Sequence, residues 1–130
     1  MPKAVPRPSD LELQILGVLW QRGPSTARQV LDAMPDGKKR AYTSVLSVMQ
    51  VMQQKGLLAL APKKRKLANV YRAAFSRKAV LGPVMRSLVQ RVFAGRPAQA
   101  VQQLLNESDI TDEELNEIRQ LLDDMEARRD

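Results

Sequence analysis

Thr43, Ser44, Ser47 and Val48 stand at offsets that share one side of a helix, within the stretch Arg40-Ala41-Tyr42-Thr43-Ser44-Val45-Leu46-Ser47-Val48-Met49-Gln50-Val51-Met52-Gln53-Gln54-Lys55-Gly56. Hydroxyls of Thr and Ser bond to base edges or phosphates, and an apolar group suits a thymine methyl. Cations lie close by in sequence: Lys38-Lys39-Arg40 just before, Lys63-Lys64-Arg65-Lys66 just after, and Arg28 upstream. Lys and Arg displace the counterions condensed on phosphates. The chemistry on offer is recognition of a polyanion rather than bond making. Plainer readings stand beside it: the hydroxyls cap a helix, Leu46 and Val48 join the core, and the cations are solvated. Tyr42 either donates its hydroxyl to a phosphate or packs its ring under the helix start.

The 130-residue chain has no Cys and no His. Disulfides, the usual zinc sites, thiol nucleophiles and imidazole acid-base chemistry are therefore excluded. The acidic groups Asp112-Glu113-Glu114 and Asp123-Asp124 lack the spacing of a calcium loop. No metal, no cofactor and no enzymatic activity are expected. The net charge is +7, and it is unevenly placed. Residues 1–78 carry 15 Lys and Arg against 4 Asp and Glu, whereas residues 79–130 carry 6 against 10. A basic front that meets phosphate and an acidic rear with another task are implied. No apolar run approaches the roughly 20 residues of a membrane span, and the N-terminus lacks a signal core, so no membrane insertion and a cytoplasmic location are expected.

The elements that must position these groups follow from helical periodicity. Ser9 with Glu12 forms a capping box ahead of Leu11, Ile15, Val18, Leu19 and Trp20, and Gly23-Pro24 ends that first helix. Thr26 with Gln29 repeats the signature before Val30, Leu31 and Met34, and Pro35-Asp36-Gly37 ends a short second helix. The third helix is the opening stretch, with Val45, Met49 and Met52 as its buried stripe and Gly56 past its C-terminus. Leu46 and Val51 are left either as lateral packing against a wing or as apolar contacts at a groove. Leu57–Ala61 and Val70–Phe75 flank a polar loop and read as a β-hairpin. Three helices and a hairpin make a winged helix-turn-helix over residues 1–75, whose third helix is the recognition helix.

Residues 76–130 are expected to be helical. Ser76 caps a helix carrying Val80, Leu81, Val84, Leu88, Val89, Val92 and Phe93, with Gly82-Pro83 as a break or kink. Pro97 opens a helix with Ala100, Val101, Leu104 and Leu105. Thr111 with Glu114 caps a third, which carries Leu115, Ile118, Leu122 and Met125. About 55 residues in three helices cannot bury that much apolar side chain alone, so a two-fold homodimer is inferred. Its contacts are expected from Val84, Leu88, Val92, Phe93, Val101, Leu104, Leu115, Ile118 and Leu122.

The chain resembles the BlaI/MecI family of penicillinase repressors over roughly residues 9–125. The resemblance lies in Leu11-Glu12-Leu13-Gln14-Ile15-Leu16, Leu19-Trp20, Gly23-Pro24, Thr26-Ala27-Arg28-Gln29-Val30, Tyr42-Thr43-Ser44-Val45, Lys55-Gly56-Leu57-Leu58 and Val70-Tyr71. Leu88, Phe93-Ala94-Gly95 and Asp109-Ile110-Thr111-Asp112-Glu113-Glu114-Leu115 extend it. It implies a homodimeric repressor with two winged-helix domains on a palindromic operator of double-stranded DNA. It also implies a regulatory protease that cuts the dimerisation domain. The position corresponding to the family's Asn-Phe bond is Gln103-Leu104, and the cysteine motif of the copper-responsive branch has no counterpart. Many relatives carry a basic residue where Val51 stands and a polar one where Leu46 stands.

The expectation is a mainly α protein with a small β-hairpin wing. Its winged helix-turn-helix domain spans residues 1–75, and a helical dimerisation domain spans residues 76–130. Thr43, Ser44, Ser47 and Val48 are the base-reading candidates. Arg28, Lys38, Lys39, Arg40, Tyr42, Lys63, Lys64, Arg65 and Lys66 are the phosphate candidates. The rival from another class is a winged-helix protein-interaction module without sequence-specific DNA binding.

Overall fold

The computed structural model describes residues 5–62 and 66–129. Helix α1 spans Asp10–Arg22. Its capping box is complete: the Glu12 N–H donates to Ser9 Oγ at 3.3 Å, and the Ser9 N–H donates to Glu12 Oε1 at 2.9 Å. After Gly23 comes β1, Ser25–Thr26, and then the short helix α2, Ala27–Asp32. Thr26 ends the strand and caps the helix at once, with Thr26 Oγ1 accepting from the Gln29 N–H at 3.2 Å. Helix α3 spans Tyr42–Lys55 and stops at Gly56, whose φ of 87° is left-handed and costs a residue with a Cβ about 1–2 kcal/mol. Strands β2, Leu58–Leu60, and β3, Val70–Ala73, follow.

The hairpin is present, and a third strand joins it. The sheet order is β1-β3-β2, with both pairings antiparallel. Leu58 pairs with Ala73 and Leu60 with Tyr71, while Ser25 pairs with Tyr71 and Thr26 with Val70 on the other edge. A two-residue polar strand leaves no alternating pattern in the sequence, so β1 becomes visible only once α1 and α2 bring it beside β3.

The core of this part is one cluster. Ile15 and Leu16 from α1, Val30 from α2, and Val45, Met49 and Met52 from α3 are buried with Leu57 and Tyr71. Each such side chain contributes about 1.5–3 kcal/mol by leaving water. Trp20 packs half-buried against the cluster, and its Nε1–H donates to the Phe75 carbonyl at 2.9 Å, tying α1 to the end of the hairpin. Phe75 leads directly into α4, Arg77–Val92, where Ser76 Oγ accepts from the Ala79 N–H at 3.1 Å. Val80, expected on the C-terminal helical face, is instead fully buried in the winged-helix core.

Gly82-Pro83 does not break α4: the helix runs through Pro83, which has no backbone N–H to donate. The chain divides into two compact units, residues 1–86 and 87–130. Beyond α4, helix α5 spans Pro97–Glu107, with Pro97 at its start, and α6 spans Asp112–Arg129. Thr111 Oγ1 accepts from the Glu114 N–H at 3.1 Å. No residue of α5 or α6 is buried.

Met49 sits at the centre of the seam between α3 and the rest of the core, so Met49→Ala should destabilise the first unit by about 2–5 kcal/mol. The shift in denaturant midpoint, followed by Trp20 fluorescence, measures it. A loss well under 1 kcal/mol would mean that α3 is not packed there.

Candidate nucleic-acid interface

Burial orients α3. With Val45, Met49 and Met52 inward, the 3.6-residue repeat turns Thr43, Ser47, Gln50 and Gln54 directly outward, and all four are exposed. Thr43 and Ser47 belong to the expected reading edge. Gln50 and Gln54 continue that row and were missed, although their offsets of three and seven from Ser47 are the signal that reveals them. Ser44 is exposed but lies to one flank. Val48 is half-buried on the same flank and turns toward the start of α1. There Ser9, Leu11, Glu12, Ser47, Val48, Val51 and Lys55 line a groove of about 360 Å³. Of the two awkward apolar residues, Leu46 packs against the core, while Val51 is 45% exposed at this groove.

Two ion pairs hold the ends of α3. At its C-terminus Lys55 Nζ reaches Glu12 Oε2 at 3.1 Å. Glu12 is only 5% exposed and is also half of the α1 capping box. Burial by itself raises the Glu12 carboxyl, but the Ser9 N–H and the Lys55 ammonium outweigh it and hold the pKa below its ordinary value. Ahead of α3, Arg40 grips Asp36 through two bonds, Nη1 to Oδ1 at 2.7 Å and Nη2 to Oδ2 at 2.6 Å. Asp36 Oδ1 also accepts from the Lys38 N–H at 3.2 Å, so the loop between α2 and α3 closes on itself. The Arg40 guanidinium holds the Asp36 carboxyl well below the usual carboxylate range.

The remaining cations are placed differently. The Arg28 guanidinium lies 4.8 Å above the centroid of the Tyr42 ring, and that ring packs half-buried against the core at the start of α3. Lys38 and Lys39 are exposed in the loop that leads to α3. Lys66 is exposed in the wing with a left-handed φ of 48°, and it lines a cleft of about 390 Å³ with Thr26, Arg28, Gln29 and Ala68. The fold thus brings Lys66 and Arg28 to one cleft although 38 positions separate them in sequence. Lys63, Lys64 and Arg65 lie outside the described residues.

In the second unit and the α4 segment before it, the expected dimer contacts are uncovered. Leu88, Val92, Val101, Leu104 and Leu122 are each at least half exposed, Leu115 is exposed, and Val84, Phe93 and Ile118 are half-buried. Met85, Leu121 and Met125 add exposed apolar surface that the expected contact set omitted. Gln103 and Leu104 are exposed within α5. Among the described residues, no group of acidic side chains is gathered as a metal site, and no helix is long and apolar enough to cross a membrane.

The family model described as penicillinase repressor matches residues 8–124. No curated protein matches the chain.

Because the Glu12 pKa is lowered on folding from an ordinary 4.5, its carboxylate stabilises the fold above that pH, and this contribution is lost as pH falls through the folded value. Glu12→Gln should therefore lower stability at neutral pH and flatten the decline in acid. Parallel denaturation curves at about pH 7 and about pH 3 test this, and an equal deficit at both would show that the charge contributes nothing.

Proposed function

The chain belongs to the penicillinase repressor family, and from that premise we propose that it is a cytoplasmic homodimeric repressor that occludes a promoter by holding a palindromic operator. DNA binding is assigned to residues 1–75, whose core also takes in Val80 from the start of α4, and dimerisation to the helical stretch 76–130. The observation that carries this reading is the two-sided α3, sealed into the core by Val45, Met49 and Met52 and presenting Thr43, Ser47, Gln50 and Gln54 outward. A helix with such a polar outer row, in second place in a helix-turn-helix, suits the major groove.

Phosphate contacts fall to Lys38 and Lys39 before α3 and to Arg28 and Lys66 beside it, and the cationic run Lys63, Lys64 and Arg65 is assigned the same role from its charge in the sequence. Arg40 contributes less, because Asp36 already meets its charge. Tyr42 acts chiefly as a platform for Arg28. The uncovered apolar side chains of α4, α5 and α6 support dimerisation, since a second copy removes them from water. Joining two half-site readers raises affinity through effective concentration, which is how two modest interfaces hold one operator. Cleavage at the exposed Gln103-Leu104 segment is the release step that the family resemblance adds.

If about 6 to 10 phosphates are neutralised per dimer, affinity should fall by roughly three to five decades between 50 and 200 mM salt. Lys66→Ala should reduce the slope of log K against log salt by about one per protomer, and Arg40→Ala by less. Fluorescence anisotropy on a labelled operator reads both effects. A flat salt response would favour a protein-interaction module instead. Leu122→Glu should produce monomers in sedimentation at low micromolar concentration and weaken operator binding by about a hundredfold or more. An unchanged dimer would remove α6 from the interface.

A further inference from the structure

The outer surface of α3 is unusual for what it lacks. Direct reading of guanine most often uses Arg or Lys on O6 and N7, and reading of cytosine uses Asp or Glu on N4. From Tyr42 to Gln54 the helix holds no Arg, Lys, Asp or Glu. Three of the neighbouring cations are engaged elsewhere. Lys55 is drawn to Glu12 at 3.1 Å, Arg40 is held in a two-bond pair with Asp36, and Arg28 lies over the Tyr42 ring.

What α3 offers instead matches the other base pair. Gln50 is exposed in the middle of the outward row, between Ser47 and Gln54, and its side chain makes no hydrogen bond among the described residues. Its amide carries a donor and an acceptor side by side, the pattern that meets adenine N7 and N6 together. On the adjoining flank Val51 is 45% exposed and shares an apolar groove with Val48 and Leu11. Methyl groups at the edge of a reading face complement the thymine C5-methyl. We propose that α3 selects an A·T core in each half-site, with Gln50 bonded to an adenine and Val51, backed by Val48, set against a thymine methyl. Ser47 and Thr43 accept either base and set register rather than identity. This deepens the repressor reading and rests on it.

Selection from a random duplex pool with the full chain, followed by anisotropy on the enriched site, tests the proposal. The expected motif is a palindrome whose inner positions are A·T. Replacing core thymine by deoxyuridine removes only the methyl, and should weaken the wild-type protein about fourfold per contacted methyl. The same replacement should leave Val51→Ala unaffected. Replacing core adenine by 7-deazaadenine should weaken the wild type but not Gln50→Ala, and Gln50→Ala itself should lose about 5- to 100-fold on the selected site. Both variants alter exposed side chains, and matching thermal melts verify that they fold. A motif with invariant G·C pairs under α3 would overturn this proposal and leave the repressor reading standing, as would indifference to both base analogues. A pool that yields no motif would overturn the repressor reading, and this one with it.

Discussion

The rotation of α3 about its own axis is the constraint on which the rest depends. Val45, Met49 and Met52 occupy one narrow stripe and are sealed into the cluster with Ile15, Leu16 and Tyr71, so the helix cannot turn without exposing them. Rotation by one residue's angle, about 100°, would return at least two of the three to water, at a cost of about 1.5–3 kcal/mol each. That cost aims the outward row. Thr43, Ser47, Gln50 and Gln54 are fixed as a surface because their opposite number is fixed as a core.

Charge does secondary work at the two ends of the helix. Glu12 joins its own helix cap to Lys55, so the start of α1 and the end of α3 share one carboxylate. Asp36 and Arg40 shorten the loop that delivers α3, and Gly56 ends it with a left-handed turn. These pairs remain partly solvated and add little to stability singly, but Lys55–Glu12 ties the end of α3 to the start of α1, and Asp36–Arg40 closes the loop ahead of it. They also engage Lys55 and Arg40, so the outward surface of α3 itself is made of amides, hydroxyls and methyls.

The second unit obeys the opposite balance. Pro97 opens α5 and Thr111 caps α6, yet none of the residues of α5 or α6 is buried. Local signals are sufficient to form such helices, but a helix draws most of its stability in a protein from covering an apolar face. Leu88, Val92, Leu104 and Leu122 remain at least half exposed, so that stabilisation is not drawn within the single chain. The asymmetry in charge runs along the chain in the same sense, basic over residues 1–78 and acidic over residues 79–130.

Much of this was legible in the sequence because it is local. The boxes at Ser9–Glu12 and Thr26–Gln29, the glycine after Lys55 and the stripe of Val45, Met49 and Met52 depend on spacings of three and four residues, which any reader of the chain can count. The strand Ser25–Thr26, the burial of Val80 in the winged-helix core, and the meeting of Arg28 with Lys66 were not legible. Nor were the two ion pairs at the ends of α3 written in the pattern. Lys55 finds Glu12 across 43 positions, and Arg40, a phosphate candidate by its place in the sequence, is paired with Asp36. The amino-acid sequence by itself determined which helices form and which face of each is apolar, because hydrogen-bonded turns and side-chain periodicity are short-range. Only the tertiary structure decided which polar residues stay free to meet a ligand, because that depends on partners brought together by packing at a distance.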